Sequence, residues 1–190
     1  MSTTLQRIAY SPLWLLLHAV ALLPFGALYA LSDALAWVAA SVVRYRRRLV
    51  EANIAAAFPD KTEAERRDIV KRFYRNFTDV FVETIKLLHI SDDEMRRRMV
   101  FEDIEHVERI AKDGRSIGLY CSHFGNWEWI TSITLWVYRA DNVEYSQVYR
   151  PLRNKWFDRF WFNLRKRFHS TSIPKNGVLR ALLQARHNGG

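Results

Sequence analysis

The sequence holds one cysteine and lacks the short motifs that mark several catalytic classes. Cys121 has no second cysteine for an internal disulfide, which fits a reducing compartment, and we read it as a small strand hydrophobe. The chain contains no C-x-x-C, no H-E-x-x-H and no Gly-rich phosphate loop. Neither zinc nor nucleotide chemistry is therefore indicated, and we expect no metal and no cofactor.

Acidic residues are also scarce relative to basic ones. Lys and Arg total 29 against 20 Asp and Glu, which gives a formal net charge of +9. This balance points to an anionic partner, either nucleic acid, an acidic carrier protein or anionic lipid. The 49% apolar content excludes a disordered chain, and 190 residues favour one domain with a sizeable core.

The N-terminal region is strongly apolar. From Leu13 to Leu31 the one strongly polar side chain is His18, and the 19-residue run approaches the roughly 20 residues that span a bilayer. Pro24 leaves two alternatives, a kinked spanning helix or two shorter helices that meet there. A second apolar stretch, 34–43, runs into Arg44, Arg46, Arg47 and Arg48, a pattern that marks a cytoplasmic membrane face. A cleaved signal peptide and a buried helix pair are the alternatives, and membrane attachment is favoured over both.

Helix signals dominate the next part of the chain. Thr62 and Glu65 form a capping box, and Ser91 with Glu94 predicts a second cap. The helix after Thr62 is expected to bury one stripe, made of Ile69, Phe73, Phe77, Val80, Phe81 and Leu88. A possible strand at 99–102, a helix at 104–112 closed by Gly114, and a strand after it give a βαβ rhythm.

The stretch from Ser116 to Trp129 organises the rest. It begins as an apolar run with strand character and continues into a predicted helix at 130–138. His123 would then lie at the carboxyl end of a strand, where open α/β sheets bind ligands. Residues five apart on a regular helix diverge, so His123 and Glu128 converge only if the histidine lies in the turn and the glutamate in the first helical turn.

Two residues between them suit such a turn. Gly125 supplies backbone freedom, and Asn126 is a favourable N-cap. The pair would then be a general-base dyad, in which Glu128 orients His123 and His123 takes a proton from a hydroxyl. The alternative is a turn histidine with an ordinary partner and an exposed helical glutamate.

The final third repeats the strand–helix alternation. Residues 143–149 predict a strand ending at Arg150-Pro151, residues 152–168 a basic, aromatic helix, and residues 170–174 a short strand before a helix at 177–186. That aromatic helix is either packed in the core or faces a membrane or carrier protein. The last residues, from His187, predict a helix stop leading into a further strand, so we expect a truncated sequence.

The block Ser122-His123-Phe124-Gly125-Asn126-Trp127-Glu128 resembles the H-x4-D/E block of the lysophospholipid acyltransferase superfamily. Its Glu and the preceding Gly-Asn-Trp are similar to the bacterial lipid A biosynthesis late acyltransferases. Arg44-Tyr45-Arg46-Arg47-Arg48, Glu51-Ala52-Asn53-Ile54 and Val148-Tyr149-Arg150-Pro151 extend the likeness over nearly the whole chain.

The resemblance implies an α/β fold, with a mixed sheet flanked by helices and membrane-associated N-terminal helices. Residues 1–48 would be the membrane-associated segment, and residues 49–190 a partial acyltransferase domain. The implied reaction moves a fatty acyl chain from an acyl thioester, on acyl carrier protein or coenzyme A, to a hydroxyl of a lipid A precursor. This would place the protein in lipopolysaccharide biosynthesis, at the cytoplasmic face of a bacterial inner membrane.

The resemblance also implies roles for individual residues. His123 and Glu128 would be catalytic and Arg150 would bind the anionic substrate, with Gly125, Asn126, Arg153 and Asn154 as further substrate-binding residues. The family continues past Gly190 into a strand with an Asp-Gln block that this chain lacks, and the superfamily also acylates glycerophosphates and amino-acid lipids. A non-catalytic membrane or carrier-binding module is the second hypothesis. A nucleic-acid binder is the third, and the helical spacing of the aromatics argues against it.

Overall fold

A computed structural model describes residues 3–137 and 144–187 of the chain. Its helices and strands have the following bounds: α1 Thr3–Leu22, α2 Phe25–Trp37, α3 Arg47–Ala57, α4 Glu63–Lys86, α5 Asp92–Arg98, α6 Ile104–Lys112, β1 Ser146–Tyr149, α7 Lys155–Arg165, β2 Thr171–Pro174 and α8 Val178–His187. A π-helical turn at Val38–Val42 continues α2, and 3₁₀ helices lie at Trp127–Leu135, Lys166–Phe168 and Lys175–Gly177. The described residues form two compact units, one of Leu16–Lys86 and one drawn from Met1–Leu15 and Leu87–Gly190.

Pro24 separates the two N-terminal helices, as the second alternative predicts. It stands at the N-cap of α2 with φ −62°, and its missing N–H prevents α1 from continuing. Among residues 3–137 and 144–187, the helical stretch long and apolar enough to cross a membrane is Phe25–Val42 rather than 13–31, by length and composition. Only 17% of this stretch is buried, whereas most of a core helix pair would be. The division at residue 48 stays a prediction.

α2 packs on α4 through small and polar residues. Ser32 is fully buried and its hydroxyl donates to the Thr78 hydroxyl at 3.0 Å, while the Arg75 guanidinium forks onto Asp33 at 2.7 and 2.9 Å. Lys86, the last residue of α4, donates to the carbonyls of Ala21 and Leu23 at 2.9 and 2.6 Å. The lysine thereby satisfies carbonyls at the C-terminal end of α1, where a cation is favourable.

The buried stripe of α4 lies one position away from the predicted one. Tyr74, Thr78 and Val82 are buried, whereas Phe73 and Phe81 are 40% and 49% exposed. Because Ser32 and Thr78 let the helices approach closely and bond across the contact, the larger rings are displaced to the flank. There Phe73, Phe77 and Phe81 contact one another ring to ring, with centroids 5.9 and 5.0 Å apart.

The capping signals predict the ends of several helices correctly. The Thr62 amide donates to Glu65 Oε2 at 2.8 Å and the Glu65 amide donates back to the Thr62 hydroxyl at 3.3 Å. The Ser91 hydroxyl accepts from the Glu94 amide at 3.2 Å, and Gly114 closes α6 with φ 71°. These signals succeed because each depends on residues within one helical turn.

The α/β expectation is confirmed in part, since the described chain is mostly helical with one two-stranded parallel sheet. β1 pairs with β2 from Ser146↔Thr171 to Tyr149↔Pro174, and α7 forms the crossover. The predicted strands at 99–102 and from Ser116 onward are wrong, because no neighbouring strand among the described residues supplies hydrogen bonds to them. The βαβ unit is therefore β1–α7–β2, rather than the one built around α6.

Candidate functional site

The segment that carries His123 is irregular and open to solvent. Residues 115–126 form neither helix nor strand, and residues 115–125 are exposed. Tyr120 is fully exposed and Leu119 is 56% exposed, so this apolar run covers no core. Cys121, read from the sequence as a strand hydrophobe, is exposed as well.

The turn after His123 forms as its residue types suggest. Gly125 has φ 57°, a left-handed value that glycine adopts without the Cβ penalty. The His123 ring lies 4.8 Å from the Trp127 ring, centroid to centroid. Asn126 occupies the N-cap position, but its side chain makes no capping hydrogen bond. The chain thus bends where predicted, without the predicted cap.

The helix that follows is a 3₁₀ helix, Trp127–Leu135, and not an α-helix at 130–138; the positions beyond Val137 lie outside the described residues. Hydroxyl groups explain the tighter winding. Thr131 and Ser132 donate to the carbonyls three residues before them, at 3.3 and 2.7 Å. Such local bonds compete with the i→i−4 ladder of an α-helix. In a 3₁₀ helix residues three apart eclipse, so Glu128 and Thr134 lie on one side.

That side faces the C-terminal end of α7. The Arg165 guanidinium donates to both oxygens of Glu128, at 2.8 Å from Nε and 2.6 Å from Nη2. Both side chains are largely buried, with 13% of Glu128 and 20% of Arg165 exposed. The Thr134 hydroxyl adds a bond to the Phe168 carbonyl. Glu128 is therefore fixed by a two-pronged ion pair that sequence reasoning missed, because the partners are 37 positions apart.

The structure does not join His123 to Glu128. Among the described residues no hydrogen bond connects them, and the carboxylate is turned toward Arg165. A carboxylate offers about four lone-pair sites and Arg165 uses two of them. Glu128 thus retains acceptor capacity for an imidazole N–H, but no hydrogen bond from His123 uses it. The dyad stays a prediction.

The other predicted site residues fall into two groups. Arg150 directly follows β1, and both it and Arg153 are exposed, without a hydrogen bond or ion pair to any described residue. Asn154 has a structural task instead. Its Oδ1 accepts from the Trp156 amide at 3.0 Å, capping α7, and its Nδ2 donates to the Tyr10 hydroxyl at 2.8 Å. Arg150 follows a strand as predicted, whereas no strand among the described residues leads to His123, so the two do not lie at the carboxyl edge of one sheet.

Two further chemical possibilities find no support in the described part of the chain. Gly114-Arg115-Ser116-Ile117-Gly118 spells G-x-S-x-G, the pentapeptide of serine hydrolases. A nucleophile elbow places its serine between a strand and a helix, whereas Ser116 lies in exposed extended chain. No group of three or more His, Cys, Asp or Glu among the described residues could hold a metal ion.

Comparison with known proteins gives one consistent result. The family model described as "Bacterial lipid A biosynthesis acyltransferase" matches residues 3–190. The chain is 24% identical over 147 residues to a "Lipid A biosynthesis acyltransferase" of Haemophilus influenzae, and 21% identical over 146 residues to "Lipid A biosynthesis acyltransferase 2" of Shigella flexneri. It is 20% identical over 144 residues to the "Lipid A biosynthesis myristoyltransferase" of Escherichia coli K12.

These alignments cover about three quarters of the chain, 76–77%. The chain spans less than half the length of the same relatives, 43–45%.

Proposed function

This chain belongs to the bacterial lipid A biosynthesis acyltransferases, and from that premise we propose that it carries the general-base part of an acyl-transfer site. The transfer joins a fatty acyl group to a hydroxyl of a lipid A precursor. One observation carries the proposal, namely that the family match runs over residues 3–190 and includes the His123–Glu128 block. Since the match covers 45% of one relative's length, the complete site is expected in a protein of the relatives' full length.

The proposed step uses His123 as the base. A neutral imidazole nitrogen takes the proton of the acceptor hydroxyl as the oxygen attacks the thioester carbonyl. The new carbon–oxygen bond forms, the carbon–sulfur bond breaks, and the departing thiolate takes the proton back from the imidazolium. The donor is an acyl thioester on acyl carrier protein or coenzyme A, and the reaction balances without a cofactor.

Glu128 orients the base in this scheme. The Arg165 fork fixes the carboxylate in one geometry, and its free lone pairs can accept the second ring N–H of His123. His123 has to approach Glu128 by movement of the exposed segment, for which Gly125 is a ready pivot. The exposure of residues 115–125 supports this movement, since little packing has to be broken.

Arg150 is the proposed contact for an anionic group of the acceptor. It has no acidic partner among the described residues, and a guanidinium fork matches a phosphate. Replacing it with Ala should raise the apparent KM for a phosphorylated acceptor while leaving the fold intact. Arg150→Lys should recover part of the loss, because an ammonium keeps the charge but not the fork.

Membrane association at the cytoplasmic face completes the proposal. Its support is the apolar stretch Phe25–Val42, on which Trp37 and Val42 are 64% and 62% exposed, followed by four arginines. Deleting residues 1–48 should release the protein from membranes. If the deleted form sediments fully with membranes, the attachment lies elsewhere, and the aromatic helix α7 is the next candidate.

The central test is a transfer assay on a protein that carries this chain at the length of the relatives. Membranes containing it are incubated with labelled acyl carrier protein or acyl-coenzyme A, and with a lipid A precursor, a glycerophospholipid or an amino-acid lipid as acceptor. We expect labelled acyl groups on the lipid A precursor. Transfer only to another acceptor would correct the substrate, and no transfer to any acceptor would favour the non-catalytic module.

A further inference from the structure

The turn between the π-helical segment and α3 is unusual in both backbone and charge. Arg44 and Arg46 have φ values of 52° and 50°, in the left-handed region that non-glycine residues seldom adopt. Such backbone strain is unfavourable for a non-glycine residue, and it concentrates at functional sites. Neither arginine needs this conformation for a contact with an acidic side chain, since none among the described residues pairs with it.

The surrounding fold holds the turn in place. The Tyr74 side chain is 1% exposed, and its hydroxyl donates to the Tyr45 carbonyl at 2.7 Å. The Tyr45 amide donates to the Ala39 carbonyl at 2.9 Å, and the Val50 amide to the Arg46 carbonyl at 3.1 Å. Both the amide and the carbonyl of Tyr45 are thus hydrogen-bonded, and these bonds fix the backbone on either side of it, where Arg44 and Arg46 lie.

The positive charge at this turn is mostly uncompensated. The Arg47 side chain pairs with Glu51 at 2.8 Å, but the guanidinium groups of Arg44, Arg46 and Arg48 form no hydrogen bond or ion pair with any described residue. All four arginines line one open depression of about 690 Å³, together with Leu49 and Glu51. Three free guanidinium groups around one concavity suit a phosphate, because each can donate two parallel hydrogen bonds to it.

Apolar surface adjoins the same turn. Val42 and Val43, which lead into it, are 62% and 63% exposed. The Tyr45 ring stacks on Phe77 at 5.7 Å, which connects the turn to the exposed flank of α4 formed by Phe73, Phe77 and Phe81. A free phosphate ion or a nucleic acid would leave these valines unused. A lipid uses both features, with its phosphate on the arginines and hydrocarbon on the valines and rings.

We propose that the turn Arg44–Arg48 is a binding site for the phosphate headgroup of an anionic membrane lipid. The turn contains none of the proposed acyl-transfer residues, and it gives the general attraction of a basic segment for membranes a defined location. Its function would be to hold the protein on an anionic bilayer surface in one orientation. The proposal does not depend on the transfer reaction.

The test is flotation of the 190-residue chain, synthesised in the presence of preformed vesicles of phosphatidylcholine alone or with added phosphatidylglycerol. Binding to the neutral vesicles reports the apolar attachment, and the increase with phosphatidylglycerol reports the arginine site. Replacing Arg44, Arg46 and Arg48 together with Gln should remove that increase, by on the order of a hundredfold, given about 1 kcal/mol for each basic residue near an anionic surface. Binding to neutral vesicles should stay unchanged.

Two matched variants separate a built site from diffuse charge. Arg66, Arg67 and Arg72 of α4 make a carbonyl contact or helical ion pairs, and replacing them with Gln removes the same charge. This control should keep most of the increase; an equal loss in the control overturns the proposal. Replacing Arg44, Arg46 and Arg48 with Lys should restore only part of it, and full restoration shows that no guanidinium geometry is involved.

Competition at constant ionic strength identifies the source of the phosphate. Inorganic phosphate and a single-stranded oligonucleotide, each at the same phosphate concentration as the vesicles, should leave the chain on the anionic vesicles. Displacement by inorganic phosphate would make this a free-phosphate site, and displacement by the oligonucleotide would favour nucleic acid. Either result overturns the lipid assignment.

Discussion

The α2–α4 pair and the His123 segment both contain apolar residues but fold by different means. In the pair, each helix satisfies its own backbone, and a few contacts such as Ser32–Thr78 and Arg75–Asp33 align the two. In the His123 segment, an apolar run with strand character has no neighbouring strand among the described residues and lies exposed. A helix requires only its own sequence and a surface to pack on, whereas a strand also requires another strand in register.

The largest expected effect comes from a substitution in the exposed segment that carries His123. His123→Ala should lower acyl transfer by ~10²–10⁴, the usual contribution of a general base, without loss of helical structure. The histidine is exposed and its ring contacts Trp127, so the fold has little to lose. The rate of transfer and the helical structure are measured, the latter by circular dichroism, on a protein with the relatives' length. His106→Ala, on α6, is the matched control and should transfer normally; near-normal transfer by His123→Ala would remove the dyad.

The sequence predicts local structure, such as helix ends, better than it predicts strands that need a distant partner. The cap residues Thr62, Ser91 and Gly114 predict helix ends correctly, since their partners lie within a few positions. The strands β1 and β2 are also predicted, because α7 connects them directly and brings them into register. The segment from Ser116 to Ser122 has the same strand signals, and no sequence pattern tells whether a partner strand is present.

The candidate site divides in the same way. Gly125 adopts the predicted turn, which depends on its own missing Cβ. The Arg165–Glu128 pair was not predicted, because charge patterns reveal partners three or four residues apart and not 37. Nor does the sequence show that Asn154 caps α7, although Asn at that position is a good N-cap.

The second prediction concerns the contribution of the Arg165–Glu128 pair to stability. Arg165→Ala should lower the free energy of unfolding by ~3 kcal/mol, since it leaves a largely buried carboxylate without its partner. The double variant Arg165→Ala, Glu128→Gln should recover part of the loss, because no charge stays unpaired, and Glu128→Gln alone completes a double-mutant cycle. Thermal unfolding of the four proteins of this cycle in mild detergent measures the coupling. Additive losses would mean that the fork contributes nothing.

A smaller effect is expected at Tyr74 of α4, which bonds to the Arg44–Arg48 turn through the Tyr45 carbonyl. Tyr74→Phe removes the donor to the Tyr45 carbonyl and should cost ~1 kcal/mol, the usual net value of a hydrogen bond. Burial raises the pKa of Tyr74 above its usual 10, so this contribution is present below pH 10 and is lost as the pH rises beyond it. Unfolding measured on both sides of pH 10 should show the difference between the two proteins shrinking. Phe73→Leu, on the exposed flank, is the control without a hydroxyl change.

An effect of the same size is expected at the capping box at the start of α4, which is encoded entirely in neighbouring residues. Thr62→Ala should lower the free energy of unfolding by ~1 kcal/mol, the usual cost of losing an N-cap. The Lys61 ammonium and then the Thr62 amide and hydroxyl lower the pKa of Glu65 from 4.5 to about 2. Because the folded-state pKa is the lower one, the stabilisation by Glu65 is complete above pH 4.5 and is lost as the pH falls towards 2. The stability difference between the natural chain and Glu65→Gln should therefore be constant near neutral pH and disappear across that window, in denaturant unfolding at a series of pH values. A difference that does not change with pH would show that Glu65 acts through its shape, which the Gln variant retains, and not through its charge.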